Sequence, residues 1–149
     1  MPAAIRPARA DEAADLLGTY EWLFAPPGSR PATWDPERAT SRLAGAIASP
    51  GAEVLVAETD ERVVGLCTVY LDIRSVRFGD RAWVEDLAVH PEHRSRGVGK
   101  MLLDAAKEWG RAHGASHLEL DSATTRTDAH RFYEREAPST RSLAFGWQL

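Results

Sequence analysis

The sequence predicts one α/β domain with the element order β-α-α-β-β-β-α-β-α-β. Apolar residues recur at helical spacing near residues 13–24, 39–47 and 98–112. Short apolar runs separated by turn residues lie between residues 53 and 89, as expected of consecutive strands. Alternating apolar and polar residues from 142 to 149 are typical of a half-buried closing strand.

The first third of the chain predicts a short strand followed by two helices. Residues 4–8 form an extended opening, and Pro7 assigns it to an edge of the sheet. The first helix ends at the turn signal of residues 26–28. The second begins after Asp35, a good N-cap, because Pro36 suits the first helical position.

The middle of the chain predicts a meander of three strands. Residues 53–58 and 63–72 are two strands joined by a turn, and a second turn at residues 78–80 leads into a third strand at Trp83. The elements expected after the long helix are a strand at 116–121, a short helix at about 127–136 and the closing strand at 142–149.

Composition excludes several classes of protein. A chain of 149 residues with 44% hydrophobic and 27% charged residues is ordinary for one globular domain and unlike a disordered or fibrous chain. A net charge of -4 argues against a general nucleic-acid binder. No apolar run reaches the length of a membrane span, and no signal peptide is visible, so we expect a cytoplasmic protein without a membrane partner.

The most informative stretch, residues 83–113, predicts a buried strand, a loop with two glycines and a long helix. Pro91 ends the strand, because the residue before a proline is disfavoured in the helical region. Gly114 follows the last apolar position and ends the helix. The apolar stripe of this helix comprises Val98, Met101, Leu102, Ala105, Trp109 and Ala112.

The loop before this helix favours an anionic ligand. The first N–H groups of a helix have no acceptor within it, and Gly97 and Gly99 carry no side chain that could block a ligand. The helix dipole and the flanking arginines would attract phosphate oxygens. Leu102 stands where a dinucleotide fingerprint needs its third glycine, and the glycines are too close for a Walker loop. The pattern that remains is R-x-x-G-x-G.

Residues 89–100, V-H-P-E-H-R-S-R-G-V-G-K, followed by M-L-L, resemble the acyl-CoA-binding motif of the GNAT superfamily of N-acyltransferases, [QR]-x-x-G-x-[GA] between a strand and a helix. The resemblance covers almost the whole chain and implies a single GNAT-like domain over residues 1–149. Its fold would be a mixed, mostly antiparallel central sheet flanked by helices. Its implied activity is transfer of an acetyl group from acetyl-CoA to a primary amine, by direct attack in a ternary complex and without a metal.

The resemblance also implies which residues bind acetyl-CoA. The loop and first helical turn would hold the pyrophosphate, with Arg94 shaping the loop. The strand before the loop would pair with the pantetheine arm and offer a backbone N–H to the thioester carbonyl. The residues concerned are Leu87, Ala88, Val89, Arg94, Ser95, Arg96, Gly97, Val98, Gly99 and Lys100.

Tyr133 is the candidate acid for the leaving thiolate. It lies in A-H-R-F-Y-E, residues 129–134, which resembles the family's A-x-x-[FL]-Y-E segment, where the tyrosine lies beside the CoA sulfur. A phenol stays protonated at neutral pH and can protonate a thiolate. The alternative role is an aromatic anchor of the helix. One departure from the family is Glu136-Ala137-Pro138, where Gly-Phe is common.

Glu85 and Asp86 are the candidates for removing the amine proton. Adjacent strand residues point to opposite faces, so one of the two carboxylates must face an apolar side. An unpaired carboxylate there is costly, which suggests a use. We rank Glu85 first and Asp86 second; the alternative is a hydrogen-bonded structural carboxylate.

Other residues carry weaker signals. His90 and His93 lack a third ligand at metal-site spacing and are expected to be surface turn residues. Cys67 is expected to be a buried, unreactive thiol. Trp22, Phe24 and Trp34 fall in the region that shapes the acceptor pocket in the resembled family, although core packing is the expected role.

The sequence leaves the acceptor open between a small-molecule amine and a protein amine. The acidic balance and the two adjacent carboxylates favour a cation, and a homodimer is compatible with the chain. The rival function is a non-catalytic acyl-CoA-binding sensor or interaction module that keeps the loop and lacks the chemistry. A nucleotide-binding regulator is disfavoured by the missing third glycine.

Overall fold

The computed structural model describes residues 2–149. The strands are β1 (Ala4–Pro7), β2 (Ala52–Thr59), β3 (Arg62–Ser75), β4 (Gly79–Val89) and β5 (His117–Glu119). The helices are α1 (Ala13–Leu16), α2 (Glu21–Phe24), α3 (Pro36–Ala48), α4 (Val98–Ala112) and α5 (Thr127–Arg135). Short 3-10 turns cover Leu17–Tyr20 and Pro91–His93.

The five strands form one sheet in the order β1-β2-β3-β4-β5. The first four pair antiparallel, as expected of strands joined by turns, whereas β4 and β5 pair parallel and are connected through α4. The predicted fold class, a mixed and mostly antiparallel sheet flanked by helices, is confirmed.

Each face of the sheet has its own core. Helix α4 covers one face, where Leu102, Ala106 and Trp109 pack against β2, β3 and β4. Helices α1 and α3 cover the other face, where Leu16 and Leu43 meet the buried side chains of β2 and β3. A ligand can therefore approach the sheet interior only where the strands separate.

Local signals placed most helix ends correctly. Asp35 caps α3 by accepting from the N–H groups of Glu37 (3.0 Å) and Arg38 (3.3 Å). The predicted helix over 13–24 is interrupted by a 3-10 turn, in which the Thr19 hydroxyl donates to the Leu16 carbonyl (2.8 Å).

The stripe predicted for α4 was partly wrong. Met101 is 37% exposed and Ala112 is exposed, while Leu103 and Ala106 are buried instead. The sheet covers a wider arc of the helix than one narrow stripe, because β2, β3 and β4 all contact it.

The predicted closing strand is absent. Residues 137–149 form no helix or strand, and Leu143, Phe145, Trp147 and Leu149 are 75–116% exposed. Alternation shows only that a segment could pair, since the hydrogen bonds of a strand come from a neighbour, and no strand of residues 2–149 lies beside this one. The observed order therefore ends at α5.

A buried ion pair fastens β1 to α1. The Glu12 carboxylate, on a residue that is 7% exposed, accepts from the Arg6 guanidinium (2.7 and 2.9 Å) and from the Arg9 N–H (2.6 Å). The hydrogen bonds with Arg6 lower the pKa of Glu12 to about 2, although burial opposes the shift. Glu12 therefore favours folding while it is ionised.

Glu12→Gln is expected to destabilise the protein by about 1–2 kcal/mol at pH 7, less than the full pKa shift implies because solvent screens the Arg6 end of the pair. The folded-state pKa lies below the ordinary 4.5, so the contribution is complete above pH 4.5 and is lost as the pH falls toward 2. Thermal unfolding from pH 7 to pH 3 should show the gap between wild type and variant narrowing. Asp15→Asn, at an exposed position of the same helix, is the control; a constant gap would contradict the assignment.

None of the helices in residues 2–149 combines the length and apolar character needed to cross a membrane.

Candidate active site

The loop between β4 and α4 leaves the N-terminus of the helix open. Gly97 precedes the helix with φ +83°, a left-handed conformation that favours glycine, and a Cβ there would meet no atom within 4 Å. The first backbone bond of the helix runs from the Met101 N–H to the Gly97 carbonyl (3.0 Å). No side chain of residues 2–149 caps the preceding N–H groups, of Val98, Gly99 and Lys100. We call these three groups the helix mouth.

Two arginines lie in the loop that leads into the helix mouth. The Arg94 Nε donates to the Val89 carbonyl (3.2 Å), which fixes the loop against the end of β4. Arg96 is exposed and, with Val98, lines a cleft of about 230 Å³ beside the mouth. The exposed Ser95 has φ +61°, so the loop contains two left-handed residues within three positions. The local charge and the bare amides both suit an anion.

Lys100 is turned away from the mouth. Its ammonium pairs with Asp104 (3.1 Å) on the same helix and with Glu136 (3.2 Å) at the end of α5. These carboxylates raise the pKa of Lys100. Its backbone N–H belongs to the mouth, while its side chain ties α4 to α5.

The two glycines have different roles. A Cβ on Gly99 would lie 3.4 Å from the Phe132 ring, an ordinary van der Waals contact, so this position faces α5 rather than open space. Only Gly97 faces open space. The sequence could not separate the two, because both lack a side chain.

The neighbouring strands separate beside the mouth. β4 and β5 pair at only three positions, Arg81 to Trp83, and from Glu85 onward no strand within residues 2–149 pairs with that edge of β4. The His90 N–H donates toward β3, to the Val64 carbonyl (2.9 Å). Because backbone groups alternate along a strand, those of Leu87 and Val89 point to the unpaired edge, and those of Ala88 toward β3. An extended ligand could pair with this edge.

A β-bulge places Glu85 and Asp86 together. Thr68 pairs with Asp86 and Val69 with Val84, so Glu85 is an extra residue in β4. The prediction that the two carboxylates point to opposite faces was wrong, because the bulge breaks the alternation. Burial raises the pKa of Tyr70 on the neighbouring strand, and the charges of Asp86 and Glu85 raise it further.

Asp86 sits in a hydrogen-bond network. Its Oδ2 accepts from the Tyr20 hydroxyl (2.8 Å) and from the Thr68 hydroxyl (2.8 Å), and its own N–H donates to the Thr68 oxygen (3.1 Å). Burial, and then the charge of Asp86, raise the pKa of Tyr20 far above its usual value. The network holds the carboxylate on the face covered by α1 and α3. No residue of 2–149 donates a hydrogen bond to its Oδ1.

Glu85 lies nearer the solvent. It is exposed, and its Oε2 accepts from the Trp83 indole N–H (2.7 Å). The Arg81 guanidinium lies 4.7 Å from the centroid of the Trp83 ring and pairs with Asp72 (2.8 Å) and Glu119 (3.4 Å).

Tyr133 lies half-buried on α5. Burial, followed by the neighbouring Cys67 thiol, raises the pKa of Tyr133 to about 12, and the charge of Arg126 opposes the shift. Cys67 is completely buried, and burial, followed by the charge of Asp86, raises its own pKa to about 12. Cys67 is therefore within electrostatic reach of both candidate groups, Asp86 and Tyr133.

Several aromatic side chains lie near Glu85 and Asp86. The Trp34 ring lies 5.8 Å from Tyr20 and 4.8 Å from Phe24 between centroids, and Trp22 lies 5.1 Å from His90. The prediction of core packing was wrong for Trp22, Phe24 and Trp34, which are only half-buried and lie outside both buried clusters. Sequence reasoning also missed Tyr20, since helical spacing gives no sign of a partner 66 positions away.

The histidines of the loop serve the turn. The His90 Nδ1 accepts from the Glu92 N–H (3.1 Å), which begins the 3-10 turn. Residues 2–149 contain no group of three or more histidine, cysteine, aspartate or glutamate side chains that could hold a metal ion.

The family model described as "Acetyltransferase (GNAT) family" matches residues 16–137. The chain belongs to the GNAT family. The match spans every element from the end of α1 to α5 and includes the loop, the bulge and Tyr133.

Two curated relatives of this GNAT chain cover only part of it. It is 46% identical over 59 residues to the uncharacterized N-acetyltransferase YhdJ of Bacillus subtilis, covering 40% of this chain and 42% of that one. It is 31% identical over 94 residues to the aminoalkylphosphonate N-acetyltransferase of Salmonella typhimurium, covering 63% and 61%. The chain thus spans about half the length of the curated relatives it matches.

Solved structures share the fold of this GNAT chain. The aminoglycoside N-acetyltransferase AAC(6')-Iy in complex with CoA superposes with a TM-score of 0.83 at 17% identity, over 98% of this chain and 94% of that one. A transcriptional regulator from Bacillus halodurans gives 0.78 at 23% identity, over 97% and 99%.

Proposed function

We propose that this chain transfers an acetyl group from acetyl-CoA to a small-molecule primary amine by direct attack within a ternary complex. The observation that carries the proposal is the helix mouth beside the unpaired edge of β4. Asp86 lies on one face of the sheet near this edge, and Tyr133 lies on the other face. Family membership supports the reaction class. The acceptor is inferred from the chemistry of the site.

The residues of the mouth fit the diphosphate of CoA. Bare amides of the first α4 turn, the dipole of the helix and the exposed Arg96 all favour anionic oxygens. The backbone groups of Leu87 and Val89 would hold the extended arm along β4, and a β4 N–H would bind the thioester carbonyl. When bound, acetyl-CoA supplies the activated acetyl group.

We assign proton removal from the amine to Asp86 rather than to Glu85. Tyr20 and Thr68 orient Oδ2 of Asp86, which leaves Oδ1 to accept from an incoming ammonium. Glu85 is exposed and accepts one hydrogen bond, from the Trp83 indole N–H. Its charge would therefore attract the cationic amine, but its carboxylate is less firmly oriented than that of Asp86. The Tyr133 hydroxyl would protonate the leaving thiolate of CoA.

The site also suggests the type of acceptor. Two carboxylates and the half-buried rings of Tyr20, Phe24 and Trp34 would bind an amine as a cation against aromatic faces. The curated relative that acetylates aminoalkylphosphonates is named for a small-molecule amine. We therefore propose a small cationic amine, and we place the activity in the cytoplasm, where the lone thiol of Cys67 would stay reduced.

A CoA-release assay with acetyl-CoA and a panel of amines tests the proposal. The panel should include monoamines, polyamines, aminoalkylphosphonates, aminoglycosides and lysine peptides. Turnover with a cationic small amine supports the proposal. Acetyl-CoA binding without turnover on any acceptor would favour the sensor, and tighter binding of ATP or NAD than of CoA would refute the helix-mouth assignment.

Asp86→Asn is expected to lower kcat/KM for the amine about 100-fold or more, the usual contribution of a positioned base. Glu85→Gln should lower it less than about tenfold, mainly through KM, because an exposed charge contributes attraction only. Steady-state kinetics of both variants at pH 8 separates the roles. A larger loss in the Glu85 variant would restore the ranking favoured by the sequence.

A further inference from the structure

The Arg126 side chain joins the helix that carries Tyr133 to the segment that supports Asp86. Arg126 is the residue immediately before α5, and its Nη2 donates to the Leu23 carbonyl in α2 (3.0 Å), 103 positions earlier in the chain. The side chain is half-buried, and a charged donor makes a stronger hydrogen bond than a neutral one. We call this hydrogen bond the clasp.

The turn after α2 makes room for the clasp at Gly28. A Cβ on this residue would lie 2.6 Å from the Arg126 Nη2 and 1.9 Å from the Leu23 carbonyl oxygen, closer than a real Cβ can approach. The Gly28 N–H donates to the Ala25 carbonyl (2.8 Å), which holds the turn in this position. Only glycine fits here, so residues on both sides of the clasp are specified by their type.

The clasp connects elements on opposite faces of the sheet. Helix α5 packs on the face covered by α4, where the Phe132 ring lies beside Gly99. Helix α2 contacts β4 and follows the 3-10 turn whose last residue, Tyr20, holds Asp86 on the other face. From Glu85 onward no strand of residues 2–149 covers that edge of β4, so the two faces can be joined there. The proposed path of the acetyl-CoA arm lies along the same edge.

The positive charge of Arg126 also acts on Tyr133. Burial raises the pKa of Tyr133, and the Arg126 charge opposes that rise, so the guanidinium lies within electrostatic range of the hydroxyl. A nearby cation favours the phenolate and makes the hydroxyl a stronger acid. Loss of the guanidinium would therefore weaken the acid as well as release the helix that carries it.

We propose that Arg126 is a positioning residue that fixes α5 to α2 across the unpaired edge of β4 and so sets the distance between Tyr133 and the thioester. The inference rests on the proposed acetyl transfer, in which the Tyr133 hydroxyl protonates the leaving thiolate. Helix α5 has no fully buried residue of its own, so packing alone holds it weakly. A shift of about 1 Å in a reacting group can cost about 100-fold in rate, so a tie at the first turn of α5 is sufficient to affect turnover.

Amide hydrogen exchange of residues 21–28 and 127–135 tests the clasp without catalysis. In the free enzyme, Arg126→Met should exchange at least about tenfold faster than wild type in both segments. Arg126→Lys should stay within about threefold of wild type, because only one guanidinium nitrogen donates in the clasp and an ammonium can replace it. Gly28→Ala should loosen both segments like Arg126→Met, whereas Gly18→Ala, where a Cβ meets no atom within 4 Å, should not.

Steady-state kinetics then measures the effect on the acid. Arg126→Met should lower kcat about tenfold and leave the CoA dissociation constant within about threefold of wild type, because the residue acts on α5 rather than on the coenzyme. In a Tyr133→Phe background the same change should lower kcat by less than about twofold more, since both changes remove the same contribution. Arg126→Lys should restore most of the lost turnover.

Three outcomes would overturn the assignment of Arg126. Exchange in Arg126→Met that matches wild type would show that the clasp does not hold α5. Weaker CoA binding with unchanged kcat would make Arg126 a contact of the coenzyme. Equal losses in the wild-type and Tyr133→Phe backgrounds would show that it acts independently of the acid. If no amine is turned over, the proposed acetyl transfer fails, while the exchange measurement still decides whether the clasp holds the helix.

Discussion

Replacing Gly97 with glutamate is expected to weaken CoA binding at least about 100-fold, a cost of roughly 3 kcal/mol. The side chain would enter the open space in front of the helix mouth, where it would place a carboxylate against the diphosphate and compete for the bare amides. Calorimetry with CoA measures the change directly. An affinity within threefold of wild type would refute the mouth as the diphosphate site.

Two control variants separate the ligand effect from backbone strain. Gly114 has the same φ of +83° and the same open surroundings at the other end of α4, so Gly114→Glu imposes similar strain far from the mouth. It should bind CoA like the wild type. Gly97→Ala carries the strain without the charge and should fall between the two, with melting temperatures reporting the strain of each variant.

Tyr133→Phe is expected to lower kcat by about 100-fold or more while changing the CoA dissociation constant less than threefold. The ring would still pack beside Phe132, and only the hydroxyl group would be lost. Tyr70→Phe removes the hydroxyl of another half-buried tyrosine near the carboxylates and should cost less than tenfold. An unaltered turnover number for the Tyr133 variant would remove the acid from the mechanism.

The surroundings of Tyr133 suit it to a buried sulfur. A phenol with a pKa of about 12 is a weak acid toward a thiol in water, whose pKa is about 8.5. Burial also raises the pKa of the neighbouring Cys67 thiol. A thiolate that leaves into a partly desolvated site would be a stronger base than a thiolate in water, which would favour proton transfer from the Tyr133 hydroxyl.

The same shift predicts the alkaline side of the pH profile. Because the pKa of Tyr133 is raised, its protonated form persists well above pH 10, so ionisation of the acid should not reduce the rate between pH 8 and pH 10. Turnover should instead rise with pH until the amine acceptor is deprotonated. A decline with an apparent pKa near 9 would contradict the assignment.

The sequence was sufficient to predict structural features that depend only on residues close together in the chain. Pro91, Gly97 and the helix after it form the loop and its open mouth within ten positions, so spacing alone predicted them. Asp35 and Pro36 likewise set the start of α3. Such features are governed by backbone conformation and local hydrogen bonds, which short-range patterns encode.

Features set by partners distant in the chain were not predictable. The bulge at Glu85 comes from the register between β3 and β4, and it overturned the expectation that Glu85 and Asp86 point to opposite faces. Tyr20 reaches Asp86 across 66 positions. The prediction of a closing strand at 142–149 was wrong for the same reason, because a strand needs a hydrogen-bonded neighbour and no strand of residues 2–149 lies beside this segment.

The sequence by itself determined the family, the order of the elements from α3 to α5 and the glycine loop before α4, because each follows from local backbone preference and a short motif. Only the tertiary structure decided which carboxylate is anchored, which glycine faces open space and which apolar side chains remain uncovered. Those choices depend on strand register and on contacts between segments far apart in the chain, and no local pattern records them.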